Sequence, residues 1–236
     1  MVYVASMTLI PLDIVLVLPE DLRRRAVVCS ELVAGKMRSG SHFRLDKPFS
    51  DQDGGCCEPH VSLFMLAVDE REVNEVVRVV ERLAATLPTL DAEGLEYGHN
   101  PHGAVEVYFR KSQGWCAIQR AVIESVEPLR RGRLRAVDPS GARILDILSS
   151  AAPDDPRRQQ LMRYGYDEVA DHGSDRFNPH VTLAWPHDHN DRVALDGLPA
   201  PRSFSGRLTE LAVFGMSAYG TCTTNYGVFS VGAAGQ

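Results

Sequence analysis

The chain contains the stretch Pro59-His60-Val61-Ser62-Leu63 and, in its second half, the near copy Pro179-His180-Val181-Thr182-Leu183. Each copy places a histidine and, two residues later, a hydroxyl side chain inside an apolar run. Because successive side chains of a β-strand point to opposite faces, the imidazole and the hydroxyl share one face and the aliphatic residues share the other. The two copies therefore predict two strands that present the same pair of polar groups.

The residue types of these motifs suit acid–base chemistry on a phosphate. Imidazole has an ordinary pKa of about 6.5, so one ring can take a proton while another gives one near neutral pH. Hydroxyl groups can donate hydrogen bonds to the phosphate oxygens. We therefore predict His60 and His180 as catalytic residues, and Ser62 and Thr182 as substrate-binding residues. A His-x-Ser/Thr tripeptide alone is a weak signal, since His172-Gly173-Ser174 is a third example, but the longer frame occurring twice is specific.

Hydrophobic periodicity around the motifs predicts a mixture of helices and strands. Strands are expected over residues 12–18, 43–46, 60–68, 104–110, 208–214 and 226–231, and helices over 20–37, 69–87 and 115–129, with a mostly helical stretch over 138–175. Asp69 and the pairs Asp138-Pro139 and Asp155-Pro156 are expected to begin helices, because an aspartate cap and a proline in the first turn favour a helix start. The pattern indicates one compact α+β unit with internal pseudo-symmetry.

With these motifs the chain resembles the 2H phosphoesterase superfamily, which includes RNA 2′,3′-cyclic phosphodiesterases and proteins named 2′-5′ RNA ligases. The pairs His60/Ser62 and His180/Thr182 match the two His-x-(Ser/Thr)-x motifs of that family. The resemblance implies an α+β, bilobal fold with pseudo-symmetric antiparallel sheets and helices packed on the outside. It makes residues 1–236 one bilobal domain, and we assign the wide separation of the motifs to a helical insertion at about 138–175.

The resemblance also implies a function. It suggests a metal-independent phosphoesterase that hydrolyses a cyclic phosphodiester (a nucleoside or sugar 2′,3′-cyclic phosphate, or an RNA end) to a monoester. Which histidine is the acid and which is the base stays open. Related activities are reversible 2′-5′ RNA ligation and action on a specialised cyclic nucleotide or phosphonate metabolite. An alternative of another class is a module that binds a nucleotide or RNA end without turnover.

Other residues are weaker candidates for the site. Tyr108 and Arg110 lie on the polar face of the strand predicted over 104–110, and Tyr166 precedes the second motif; all three are candidate substrate-binding residues. His187-Asp188-His189 resembles a metal cluster but lacks a third well-spaced ligand, so we expect no metal there and no cofactor elsewhere. A metal-dependent hydrolase that uses these two histidines is the alternative.

Composition limits the partners and the compartment. The 236 residues include 25 basic and 31 acidic ones, for a net charge of −6, and 44% are hydrophobic. This balance favours a small or short substrate over long RNA, since phosphate neutralisation dominates nucleic-acid affinity. We expect no membrane segment and infer no stable protein partner. Five cysteines without CxxC spacing indicate free thiols and a cytoplasmic protein; Cys56 or Cys57, just before His60, could line the site.

Overall fold

The computed structural model describes residues 8–49 and 55–232. The described strands are β1 (Leu9–Val17), β2 (His60–Asp69), β3 (Leu90–Ala92), β4 (Gly94–His99), β5 (Val105–Phe109), β6 (Ala170–Asp171), β7 (Ser174–Asp175), β8 (His180–Ala184), β9 (Gly206–Leu208), β10 (Glu210–Met216) and β11 (Cys222–Ser230). The described α-helices are α1 (Glu20–Lys36), α2 (Val73–Ala84), α3 (Gln113–Arg130), α4 (Ile144–Ser150) and α5 (Pro156–Tyr164). Short 3-10 helices cover Glu70–Glu72, Pro201–Phe204 and Ala218–Gly220.

The two histidine motifs begin strands in two different antiparallel sheets. β2 is an edge of the four-stranded sheet of order β11-β10-β1-β2, and β8 is an edge of the three-stranded sheet of order β4-β5-β8. The strand pairs β3-β9 and β6-β7 form two further, two-stranded sheets. The fold is therefore α+β with several antiparallel sheets, as expected.

Alternation of side chains anchors each motif in the core. Val61 and Leu63 of β2, and Val181 and Leu183 of β8, are at most 1% exposed. They pack in one continuous apolar core that both sheets share. Burial of such side chains stabilises a fold by about 1.5–3 kcal/mol each, so the aliphatic half of each motif holds the polar half in place.

Helices connect the two sheets across the core. α1 follows β1 in the chain but packs against β8 of the other sheet, and α3 packs against β2. The start of the α2 region is capped as expected: the Asp69 carboxylate accepts a hydrogen bond from the Arg71 backbone N–H, and Glu72 completes the capping box. The two lobes are thus interleaved, and neither histidine strand has its own separate core.

The segment over 138–175 is less helical than expected. It contains α4, α5 and the two-residue strands β6 and β7; its origin as an insertion stays a prediction. Asp155 caps α5 by accepting from the N–H groups of Arg157 and Arg158. Asp138, in contrast, closes a turn by accepting from the Ala142 N–H, so the helix start predicted at Asp138-Pro139 is wrong.

The strand predicted over 43–46 is also wrong. The hydroxyl oxygen of Ser30 in α1 accepts a hydrogen bond from the Leu45 N–H. Asp46 has a left-handed backbone conformation with φ 60°. Because that conformation turns the chain, the segment cannot continue as an extended strand.

Among the described residues, none of the helices combines the length and the apolar character needed to cross a bilayer.

Candidate functional site

A cavity of about 470 Å³ opens where the polar faces of the two sheets meet. Both motifs contribute to it: His60 and Ser62 from β2, and His180 and Thr182 from β8. The remaining lining residues come from β2, β5, α5, the 3-10 helix Ala218–Gly220 and the loops: Met65, Asn100, Pro101, His102, Glu106, Tyr108, Asp138, Pro139, Ser140, Arg157, Tyr166, Asp167, Glu168, Arg176, Asn178, Trp185, Tyr219 and Gly220. The structure therefore brings the two distant motifs into one site.

The His60 ring is held by the chain that precedes it. Its Nδ1 lies 2.6 Å from the carbonyl oxygen of Glu58, two residues earlier. Because a carbonyl can only accept, Nδ1 carries the proton and Nε2 keeps a lone pair in the neutral ring. Nε2 lies 3.5 Å from Sγ of Cys222 and 3.8 Å from Oδ2 of Asp13.

The His180 ring is held in the same way. Its Nδ1 lies 2.7 Å from the carbonyl oxygen of Asn178, again two residues earlier across a proline. Its Nε2 faces Oε1 of Glu106 at 3.7 Å. The Tyr108 ring is tilted against it, with the ring centroids 5.8 Å apart. The two imidazoles thus have matching backbone anchors but different neighbours.

These neighbours separate the pKa values of the two histidines. Burial lowers the pKa of His60 to about 4; the carbonyls of Glu58 and Gly220 oppose this shift only in part, and the charge of His180 adds to it. Burial also disfavours protonated His180, but the negative charges of Glu106 and Glu168, together with the Asn178 carbonyl and Asp13, outweigh it and raise the His180 pKa. At neutral pH His60 is neutral, whereas the surroundings of His180 favour its protonated form.

Glu106 is the acidic partner of His180. Its side chain is buried and accepts hydrogen bonds from Nδ2 of Asn100 at 2.8 Å and from the hydroxyl of Tyr108 at 2.6 Å. In the ladder between β5 and β8, Glu106 pairs with Thr182 and Tyr108 pairs with His180. The register between these two strands therefore sets which groups face one another in the cavity.

The two motif hydroxyls are not equivalent. The Ser62 hydroxyl donates to Oδ2 of Asp13 at 2.6 Å. The Thr182 side chain lines the cavity, and in the described part of the chain its hydroxyl donates no hydrogen bond. Thr182 is thus the hydroxyl available to a bound ligand, whereas Ser62 must first turn away from Asp13.

Two further carboxyl groups lie at the site. Burial raises the pKa of Asp13 to about 7, against the lowering effects of the Ser62 hydrogen bond and of Arg135. Burial also raises the pKa of Glu168 to about 7, and the charge of His180 lowers it. Perturbed carboxyls in a cleft are typical of functional sites.

Aromatic rings form one end of the cavity. The rings of His102 and Trp185 are stacked, with centroids 5.8 Å apart and planes at 20°. Tyr219 lies 5.5 Å from Trp185 and is itself stacked on His42 at 3.8 Å. Such surfaces can stack on a nucleobase.

The weaker candidates divide between the cavity and its surroundings. Tyr108 and Tyr166 line it, although Tyr166 is only 2% exposed and packs against Phe64. Arg110 is not among the lining residues: its Nε lies 2.9 Å from Glu93 on the exposed surface. Arg110 lies outside the lining because β5 ends at Phe109, so strand alternation no longer directs the next side chain; its role in substrate binding stays a prediction.

The other histidine cluster also lies outside the cavity lining. The ring of His187 packs edge-on against His42, and His189 is exposed beside Asp188. The thiol beside His60 belongs to neither Cys56 nor Cys57 but to Cys222.

Sequence reasoning missed Asp13, Glu106, Glu168 and Cys222. For two of them the sequence contains a feature that could have pointed to the site. Asp13 is a charged residue inside an apolar strand, and Glu106 shares the polar face with Tyr108. Glu168 and Cys222 gave none, because only the three-dimensional fold brings them to the histidines.

Comparisons with known proteins find the fold but no related sequence. No family model matches the chain, and no curated protein matches it. Among solved structures, TT0787 of Thermus thermophilus is similar with a TM-score of 0.56 and 17% identity, covering 94% of this chain and 98% of that one. E. coli LigT complexed with NADP+ is similar with a TM-score of 0.52 and 15% identity, covering 95% and 99%. E. coli LigT complexed with phosphate gives a TM-score of 0.51 and 15% identity, covering 96% and 99%. The chain thus has the same fold as these solved structures, as the resemblance drawn from the two motifs implies.

Proposed function

We propose that the protein is a metal-independent phosphoesterase that hydrolyses a cyclic phosphodiester to a monoester by two-histidine acid–base catalysis. The observation that carries the proposal is the cavity in which His60 and His180, each anchored through Nδ1, meet with Ser62 and Thr182. Anchoring of Nδ1–H leaves Nε2 of each ring for proton transfer.

The different pKa values of the two histidines support one assignment of the acid and base roles in the direction of hydrolysis. Neutral His60 removes a proton from water as its oxygen attacks phosphorus, and protonated His180 gives a proton to the leaving sugar oxygen. The phosphorus–oxygen bond of the ring breaks, and a monoester with a free hydroxyl forms. His60 ends protonated and His180 neutral, so proton exchange with solvent restores both.

The remaining lining residues suit a small nucleotide. The Thr182 hydroxyl can donate to a non-bridging phosphate oxygen, whose charge must be held as the pentacovalent state forms. The stack of His102 and Trp185 offers a surface for a base. The cavity volume of about 470 Å³ lies within the range of small-molecule sites. E. coli LigT, which shares the fold, has been solved with NADP+, phosphate and 3′-AMP, and a phosphate-bearing nucleotide is the ligand class that we propose here.

A substrate panel tests this proposal. The protein is incubated in EDTA with 2′,3′-cyclic, 3′,5′-cyclic and 2′-5′-linked substrates, and the products are identified. We expect opening of a 2′,3′-cyclic phosphate, with activity lost in His60→Ala and His180→Ala and reduced less in Ser62→Ala and Thr182→Ala. Each variant is checked for folding by circular dichroism.

Several outcomes would reject the proposal or change it. Full activity in both histidine variants would refute the acid–base roles. Saturable heat on titration of a cyclic nucleotide, without any product, would identify a binding module. Joining of RNA ends through 2′-5′ bonds would favour the ligase. Activity that needs a metal ion would contradict the metal-independent mechanism.

We also propose a cytoplasmic location. All five cysteines, Cys29, Cys56, Cys57, Cys116 and Cys222, are free, which suits a reducing compartment. Fractionation of cells that express the full chain would test this, and recovery in the membrane or secreted fraction would contradict it.

A further inference from the structure

We propose that Asp13, His60 and Cys222 form a binding site for a divalent transition metal of the Zn²⁺ class, and that metal bound there inhibits the enzyme. The inhibition rests on the proposed function, because the metal would occupy the same His60 nitrogen that accepts the proton. The metal site itself stands on the geometry of the three side chains.

The three ligand atoms have nearly the spacing of a tetrahedral site. Nε2 of His60 lies 3.5 Å from Sγ of Cys222 and 3.8 Å from Oδ2 of Asp13, and these last two atoms are 4.0 Å apart. Zinc bonds of about 2.0–2.3 Å at tetrahedral angles place ligand atoms about 3.3–3.6 Å apart. Side-chain shifts of less than about half an ångström therefore close the triangle on a metal.

Neighbouring groups already orient two of the ligands. The Glu58 carbonyl holds the Nδ1–H of His60 and so directs the Nε2 lone pair towards the cluster. The Ser62 hydroxyl holds Oδ2 of Asp13. Hydrogen bonds of this kind behind the ligands are typical of protein metal sites, because they fix the tautomer and the orientation of each ligand.

An independent observation also points to a ligand. Oδ1 of Asp13 is buried without a hydrogen-bond partner in the described part of the chain, and the whole side chain is 0% exposed. Arg135 acts on this carboxyl only through space, since its Nη1 lies against the sulfur atoms of Met65 and Met216. A buried acidic group without a contacting cation is costly, and a dication would compensate it.

The chemistry of the ligands selects the metal, and the cavity gives it access. A thiolate with an imidazole favours Zn²⁺ or Co²⁺ over Mg²⁺ or Ca²⁺, which prefer oxygen ligands. His60 lines the cavity, so a metal can enter from there and keep a fourth position for water. Binding displaces the thiol proton of Cys222 to solvent and engages the Nε2 lone pair of His60.

Cobalt reports on this site by spectroscopy, without any enzyme assay. The full-length protein is freed of metal with chelator and titrated with Co²⁺. We expect the charge-transfer band of a cobalt–thiolate bond and the visible bands of tetrahedral Co²⁺. Cys222→Ser should lose the charge-transfer band, whereas Cys56→Ser and Cys116→Ser should keep it. Cys56 is the matched control because it is an exposed thiol near His60 in sequence.

A second variant decides the matter if Cys222→Ser does not fold. Asp13→Asn keeps the shape of the side chain, and we expect it to weaken Co²⁺ binding at least about tenfold. Absence of the band in the wild type, its persistence in Cys222→Ser, its loss in Cys56→Ser, or unchanged affinity in Asp13→Asn would each overturn the site.

The inhibition is measured separately. Hydrolysis of a 2′,3′-cyclic nucleotide should fall as Zn²⁺ is added and return when EDTA is added. Cobalt binding without any hydrolysis would refute the proposed function alone, whereas hydrolysis unaffected by saturating Zn²⁺ would refute the inhibition alone.

Discussion

Replacement of Asp13 by asparagine should destabilise the protein at acidic pH and stabilise it at alkaline pH. Burial raises the pKa of Asp13 from 3.8 to about 7. Between these pH values the Asp13 carboxyl is ionised in the unfolded state and protonated in the folded state. The folded state then binds more protons, and stability falls as pH rises. A difference of this size corresponds to about 4 kcal/mol lost between pH 4 and pH 8.

The amide of Asp13→Asn does not titrate, so the variant escapes this loss. Its oxygen can still accept the Ser62 hydrogen bond, but its NH₂ group takes the place of the unpartnered Oδ1 and costs about 1–3 kcal/mol. We therefore expect the variant to be about 1–3 kcal/mol less stable than wild type at pH 4, from that same cost. The variant should be about 1–3 kcal/mol more stable than wild type at pH 8, because the stability that the wild type loses by ionising Asp13 exceeds the cost of the unpartnered NH₂ group.

Urea unfolding followed by circular dichroism at several pH values measures this difference. Asp191→Asn is the matched control, because Asp191 is also a buried carboxylate but accepts hydrogen bonds from the backbone N–H and the hydroxyl of Ser39, which lower its pKa. That variant should lose stability at neutral pH, and its deficit should shrink as pH falls. A difference between Asp13→Asn and wild type that does not change with pH would refute the reasoning.

Three further predictions follow from the site and the fold. With the pKa of His60 at about 4, about nine-tenths of the His60 side chains are neutral at pH 5, against about 3% for an ordinary histidine. The value of kcat/KM should therefore stay near its maximum at pH 5. A steep loss of kcat/KM at that pH would contradict the role of His60 as the base. Glu106→Gln removes a charge that raises the pKa of His180, so the alkaline limb of the pH–rate profile should move to lower pH, and an unmoved limb would show that Glu106 does not act on His180. Gly94→Ala should destabilise the fold by about 1–3 kcal/mol in urea, because a Cβ there would meet the Pro201 carbonyl; wild-type stability would show that the backbone yields.

The fold was predictable where the periodicity was long. The nine residues of β1 and the eighteen of α3 give several repeats of their pattern, and the sequence located both. The three-residue strands β3 and β9 were missed, because three residues cannot distinguish a strand from a loop. Their structure is fixed by pairing with each other across a long stretch of chain.

The site was predictable where local rules apply. Strand alternation placed each histidine beside its hydroxyl, and the side chains of both pairs lie in the cavity lining. Alternation failed at Arg110 because it lies just beyond the strand. Asp13 and Cys222 escaped because they reach His60 from other strands, and such contacts depend on the packing of the sheet.

The pairing of β5 with β8 limits which changes of the sequence leave the reacting groups in place. A slip of one residue in that ladder would turn His180 and Thr182 into the core and present Val181 and Leu183 to the ligand. The part of the connection that follows α3 and precedes Glu168 can, in contrast, lengthen or shorten without breaking this ladder or the bond from His180 to the Asn178 carbonyl. Variation in substrate choice can therefore accumulate in residues 131–167, several of which line the cavity, while the reacting groups stay where they are.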